Sequence, residues 1–274
     1  MNWLQGFIYG LISGITEILP VSSQAHQRIL LQIFGQDRNP VSNLIVHLSV
    51  LLALYIGCRG ILIRMHREQK IRSHRNTKAR AAETKNLYDL RLIRTSIIPL
   101  LLGMIALVFT RNWAENSLLI AIFCLISGVF LFISERFPQG NKDSRHMSVL
   151  DAIVLGIVSA FSVFPGISRI ATSISYANMR GVHKQQSLSW ALMLSIPAMI
   201  VLCIFDFVDI VTVKGLITNF SVIIGYFTAG LGAFFGTYLC VFFIRTLLNR
   251  SGAIVFAYYS WGLALLTFAL YLIS

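Results

Sequence analysis

The sequence predicts an all-α polytopic membrane protein built as an inverted-topology repeat, each half one re-entrant broken helix pair plus three transmembrane helices. Three observations carry that expectation. Apolar runs recur along the whole 274-residue chain, which is 56% hydrophobic, only 12% charged and has a mean hydropathy of +0.72; a soluble domain carries about 25% charged residues. Two of these runs are broken where a proline leads into a polar or glycine-containing stretch, at Pro20 and Pro165. Each broken run is followed by three further apolar runs. No polar segment is long enough for a separate soluble domain, so residues 1–274 are expected to form a single membrane domain.

The first element, residues 3–19, is apolar, but Pro20 follows it and a shorter polar segment runs from Ser22 to Gln36. A spanning helix needs about 20 apolar residues, and each arm beside Pro20 is nearer half a bilayer. A re-entrant pair breaking at Leu19–Ser22 fits, and such breaks are tolerated only inside protein or beside a cavity. Spans are expected at 41–58, 95–110 and 117–134, closing repeat one (1–134). Residues 135–148 form the linker. Repeat two (149–274) opens with 149–164, interrupted in Phe164-Pro165-Gly166-Ile167-Ser168-Arg169, and continues with spans at 187–206, 218–244 and 252–273.

An offset of 145 sets Pro20-Val-Ser-Ser23 on Pro165-Gly-Ile-Ser168, while the Gly10–Ser13 and Gly156–Ser159 stretches match one residue out of step. Three spans is an odd number, so the second half enters the membrane from the opposite side. In such repeats the site lies where the broken segments meet.

The net charge of +12 is concentrated rather than spread. Between Arg59 and Arg94 stand eleven Lys or Arg and three acids, Glu68, Glu83 and Asp89. That pattern predicts a cytoplasmic loop attracted to anionic lipid. With no recognition fold or aromatic–basic module beside the charge, nucleic acid is not an expected partner. Counting spans from this loop puts Arg136, Lys142, Arg145, Arg180, Lys184, Arg245 and Arg250 on the cytoplasmic side. Asp37, Arg38, Arg111, Glu115, Asp206, Asp209, Lys214 and both termini then lie outside. The first apolar run has no basic leader and runs straight into a polar motif, so it is not expected to be a cleaved signal. Cys58, Cys124, Cys203 and Cys240 are scattered in or beside apolar runs without C-x-x-C spacing, and read as small buried hydrophobes.

Chemistry concentrates in Glu17-Ile-Leu-Pro-Val-Ser-Ser-Gln-Ala-His26. Ionisable groups at membrane depth are costly and usually face a cavity or bundle interior; helix–helix packing by Ser and His is the alternative reading. Ser23 and His26 are three apart and share a helical face, the minimum for an activated hydroxyl or a water-positioning base. His26 is the best candidate general acid or base. Arg169, at an expected helix start four residues past Pro165, would add a guanidinium to free N–H groups, a credible phosphate cradle. The alternatives are that it snorkels to the interface or pairs with Glu17.

The pair Thr16-Glu17-Ile-Leu-Pro20-Val-Ser22-Ser23-x-x-His26 and Pro165-Gly166-x-Ser168-Arg169 resembles the signature motifs of the undecaprenyl-diphosphate phosphatases, the bacitracin-resistance type of lipid phosphatase. Val46-His47-Leu48, Leu51-Leu52-Ala53 and Ser195-Ile-Pro197-Ala-Met199 are similar to the family's as well, and only the 59–94 loop falls outside the likeness. The resemblance implies hydrolysis of a polyprenyl diphosphate to the monophosphate carrier and phosphate, in a bacterial inner membrane. It implies catalytic roles for Glu17, Ser23, His26 and Arg169. It implies substrate contacts from Ser22, Gly166, Ser168, Arg169 and Ser173, and a divalent cation (Mg2+ or Ca2+) on Glu17. The expected partners are the polyprenyl diphosphate and the bilayer, with a homo-oligomer left open. The family's second acid is replaced by Ser13, an acid of the next span by Asn43, a C-terminal Arg by Ser260, and the Ser, Gly and Thr that end the second motif by Ile170, Ala171 and Ser173. Glu17 is then the only intramembrane carboxylate expected, which weakens the cation's cage. A polyprenyl-phosphate carrier or flippase on the same scaffold is the alternative function.

Overall fold

A computed structural model describes residues 1–63, 67, 90–142, 146–212 and 220–273. In chain order the main helices are α1 (Trp3–Ile18), α2 (Ser23–Ile33), α3 (Pro40–Gly57), α4 (Leu90–Ala106), α5 (Ser117–Ser134), α6 (Val149–Ala160), α7 (Arg169–Met179), α8 (Lys184–Thr212), α9 (Phe220–Ser251) and α10 (Ile254–Ile273). Short 3-10 turns occupy Val108–Glu115 and Phe161–Val163. Among the described residues, five helices (α3, α5, α8, α9 and α10) are long and apolar enough to cross a membrane. The basic run expected on the cytoplasmic side lies mostly outside the described residues.

Both proline interruptions are true breaks. A residue before proline is pushed into extended backbone, and Leu19 (ψ 153°) and Phe164 (ψ 126°) both end their helical segments that way. The chain then restarts with a serine cap on each side. The Ser22 hydroxyl accepts the Ala25 N–H at 3.2 Å, and the Ser168 hydroxyl accepts the Ala171 N–H at 3.3 Å. The capping serines stand two residues after Pro20 and three after Pro165. Ser13 and Ser159, each nine residues before its cap, are both fully buried.

Two expected spans differ from those found. The 95–110 span ends at Ala106, and the chain turns by 54° into the 3-10 segment as it approaches polar Thr110-Arg111-Asn112; counted as one bent crossing, it is the sixth. The 187–206 span becomes the 29-residue α8, about 44 Å long at 1.5 Å per residue. Asp206 and Asp209, expected in an outside loop, are therefore helical. Asp206 is also wholly buried, so Glu17 is not the only buried carboxylate in the bundle.

The shorter helices beside the breaks are held by long partners. α1 lies along α9, α6 along α4, α5 against α10, and α3 against both α8 and α9. The four cysteines are buried and unbridged.

At the start of α6, outside the spanning helices, the Asp151 carboxylate closes a capping box with Ser148 and accepts from Arg180 Nε at 2.6 Å. Burial works to raise its pKa, but the Ser148 backbone N–H, the Arg180 guanidinium and the Ser148 hydroxyl outweigh it, leaving the carboxyl below its ordinary range. A depressed carboxylate contributes stability that is present above its unfolded pKa and lost as pH falls through the folded one. The loss is thus expected below about pH 4. Asp151→Asn should lower the melting temperature at pH 7 and flatten the acid limb of a melting-temperature profile.

Candidate functional site

The two breaks meet. The Ser168 hydroxyl donates to the Leu19 carbonyl at 3.4 Å, and the next residue, Arg169, reaches Glu17, Nη2 to Oε2 2.9 Å. Their side chains are only 5% and 9% exposed. Arg169 therefore does not snorkel: it sits in the first turn of α7, facing the last turn of α1. Burying an ion pair costs several kcal/mol per ion before their attraction offsets it, so a pair retained here needs a reason beyond stability.

That reason is visible in the guanidinium. Nε and Nη1 of Arg169 are buried without any hydrogen-bond partner. Buried donors are nearly always satisfied, and a guanidinium offers a rigid fork shaped for phosphate or carboxylate oxygens. One edge of the fork is tied to Glu17, and the remaining donors have nothing to hold. The N-cap serine orients the first turn of α7, whose N–H groups add the favourable end of a helix dipole.

Gly166 adopts φ +106°, a conformation L side chains rarely adopt, and a Cβ there would come within 2.5 Å of the Ile120 carbonyl oxygen. The second break is thus pressed against α5, where the Ser168 N–H donates to the Ser127 hydroxyl at 3.4 Å. Ser22 and Ser168 both act as helix caps. Ser173 is fully buried one turn beyond Arg169, its hydroxyl 2.7 Å from that of Ser159 at the contact between α6 and α7. It is engaged within the protein rather than lining an open wall.

Ser23 and His26 share the face of α2 that their spacing predicts, but they do not bond to one another. The Ser23 hydroxyl accepts from the Gln27 amide at 3.3 Å. The His26 ring lies between the Ser22 carbonyl (2.6 Å from Nδ1) and the Tyr259 hydroxyl (2.8 Å from Nε2). Tyr259 lies 233 residues away; its only sequence signal is the hydroxyl run Tyr258-Tyr259-Ser260 inside an otherwise apolar span.

A second polar cluster escaped sequence reasoning. His47 Nδ1 pairs with Asp206, and the Tyr9 hydroxyl donates to Asn43 at 3.1 Å. Tyr9, Ser13 and Glu17 recur every four residues on one face of α1, so this cluster lies about 12 Å along the helix from Glu17. Asn43, standing where the family resemblance expects an acid, belongs here.

No three His, Cys, Asp or Glu side chains gather as a metal cage among the described residues. Glu17 is the one acid at the meeting of the breaks, and its Oε2 is taken by Arg169. These residues alone do not form a resident divalent-cation site.

The bundle and this site define an integral membrane protein with a buried anion-ready arginine at the junction of two broken helices. The chain belongs to the bacitracin resistance protein BacA family, whose model matches residues 6–266. Relatives include undecaprenyl-diphosphatase 3 of Bacillus cereus, 31% identical over 271 residues that cover 97% of this chain and 96% of the relative. An undecaprenyl-diphosphatase of Carboxydothermus hydrogenoformans is 28% identical over 95% of this chain and 94% of its own. One of Methanobrevibacter smithii is 28% identical over 98% and 97%.

Proposed function

We propose that this protein hydrolyses undecaprenyl diphosphate within the membrane, releasing phosphate and leaving the lipid monophosphate. Family membership and the names of the relatives support the reaction. The observation that supports its placement is the pair of orphaned, buried Arg169 donors beside Glu17.

In this reading Arg169 and the first-turn N–H groups of α7 hold the terminal phosphoryl oxygens, and Glu17 fixes the plane of the guanidinium. An oxygen nucleophile, the Ser23 hydroxyl or a water, forms the new P–O bond as the bridging P–O bond breaks; where Ser23 attacks, a water then displaces the phosphoryl group from its oxygen and frees phosphate. His26 takes the nucleophile's proton, and positioning and charge stabilisation supply most of the rate. A Mg2+ or Ca2+ ion belongs to the proposal as a companion of the diphosphate, since Glu17 would need phosphate oxygens to complete its shell. Bound there, it would offset charge on those oxygens.

Finer architecture is part of the same proposal. Ser22 and Ser168 cap in one register, α1 on α9 is matched by α6 on α4, and α5–α10 and α3–α8 each pair equivalent helices. This pattern supports an inverted repeat of 1–134 and 149–274. Residues of the 135–148, 180–186 and 245–250 segments line one cavity of about 380 Å³, which supports placing their cations on one membrane face. That face would be cytoplasmic in a bacterial inner membrane, with both termini outside. Nothing in the site favours the carrier alternative, and the relatives are named for hydrolysis.

The test is phosphate release from a polyprenyl diphosphate by purified protein, with and without chelator. Wild type should release phosphate, chelator should suppress it, and Glu17→Gln should reduce it by at least about 10²-fold, the loss typical of one preorganised charged contact. Wild-type release no greater than that of a His26→Ala control would end the proposal.

A further inference from the structure

His26 is gripped at both ring nitrogens, and the grip fixes its chemistry. The Ser22 carbonyl 2.6 Å from Nδ1 can only accept, so Nδ1 carries the hydrogen. Nε2 then holds the lone pair, and the Tyr259 hydroxyl, 2.8 Å away, donates to it. The two rings also stack, with centroids 5.7 Å apart and planes inclined by 9°. Of the three neighbouring hydroxyl residues on α10, only Tyr259 bonds the imidazole. Tyr258 packs edge-on against Phe132 and Trp261, and the Ser260 hydroxyl is buried without a partner.

We infer that Tyr259 is the proton relay of His26: the Ser22 carbonyl holds the imidazole in its Nδ1–H form, and the Tyr259 hydroxyl engages the basic Nε2 and carries protons to and from it. The inference rests on the reading of His26 as the proton carrier in phosphate release. Among the described residues Nε2 has no other hydrogen-bond partner, so a proton bound for it passes the Tyr259 oxygen. The step balances. As the nucleophile's O–H bond breaks, its proton joins the Tyr259 oxygen, the original Tyr259 O–H bond breaks and that proton forms Nε2–H. Tyrosine is neutral before and after, and its oxygen then accepts from the imidazolium. One hydroxyl thus serves both states of the ring without being released. The tautomer matters because the two nitrogens of a histidine do different work, set by what the other one holds.

The experiment compares wild type with Tyr259→Phe, which keeps the stacked ring and removes only the hydroxyl, in phosphate release and in nitrogen-15 NMR of histidine-labelled protein in nanodiscs. The His26 signals are identified by their loss in His26→Gln. The phenylalanine variant should elute and melt like wild type, keep KM within about twofold and lose about tenfold or more in kcat, a modest share of what proton transfer contributes. Its His26 Nδ1–H signal should stay, held by the Ser22 carbonyl, while the Nε2 signal should move downfield as the hydroxyl's hydrogen bond is lost. An unchanged kcat, a loss carried by KM alone, or a kcat loss with an unchanged Nε2 signal would each overturn the inference. If wild type itself releases no phosphate, the reading of function fails, while the Nε2 signal still decides whether Tyr259 bonds His26.

Discussion

Arg169→Gln should reduce phosphate release by about 10³-fold or more and destabilise the protein, whereas Glu17→Gln with Arg169→Gln should recover the stability and none of the activity. Two effects separate here. Removing one partner of a buried pair strands the other charge, at a cost of about 3–5 kcal/mol. Glu17 and Arg169 are both nearly inaccessible, so screening by solvent offers little relief. Neutralising both ends removes that penalty, and a buried pair replaced by neutral groups of similar shape is often no less stable. Catalysis follows a different rule. A single preorganised donor is worth about 10² to 10³ in rate, and Arg169 contributes a full charge and two further unpaired donors. Melting temperature and phosphate release measured on the two variants test the account. A double variant that regained activity would show that Arg169 serves only to neutralise Glu17.

How much of this could be read from sequence depends on whether the signal is local. The breaks were legible because proline's effect on its predecessor and the length a bilayer demands both act within a few residues. The meeting of Glu17 with Arg169, 152 residues apart, followed from the expected inverted repeat, and pairing with Glu17 stood among the alternatives for Arg169. Prolines and capping serines give offsets between the two halves that differ by one residue, because the serines stand two residues after Pro20 and three after Pro165. Asp206 was misplaced because an acid near the end of an apolar run looks like a loop residue. What makes its burial tolerable is His47, 159 residues away, and no local pattern announces a partner at that range. The Ser23–His26 spacing was right and its implied bond was not, since a shared helical face does not decide which neighbour a hydroxyl or an imidazole takes.

The longest lever on the site lies away from it, in the glycines of α1. This helix is about 24 Å long, short of the roughly 30 Å hydrocarbon core, so it depends on α9 for its position. Gly6, Gly10 and Gly14 form a small-residue stripe that brings the two backbones into contact, the kind of packing that joins helices in lipid. A Cβ at Gly10 would lie 1.8 Å from the Ala229 carbonyl oxygen, and at Gly14 2.3 Å from that of Ala233. The Thr228 hydroxyl donates to the Trp3 carbonyl at 2.8 Å and the Thr237 hydroxyl to that of Gly14 at 3.0 Å, fastening both ends of the seam. Overpacking a tight interface costs about 1–3 kcal/mol when side chains can shift. Here the obstacle is backbone, so the whole of α1 must move. Gly10→Leu is expected to lower the melting temperature sharply and to suppress phosphate release, because Glu17 rides on the last turn of the displaced helix and must stay 2.9 Å from Arg169. Gly262→Ala is the control: nothing lies within 4 Å of a Cβ there, and both measurements should remain at wild-type values. Gly14→Ala, one turn from Glu17, should affect release more than melting. Wild-type melting and release in Gly10→Leu would show that α1 holds its place without α9.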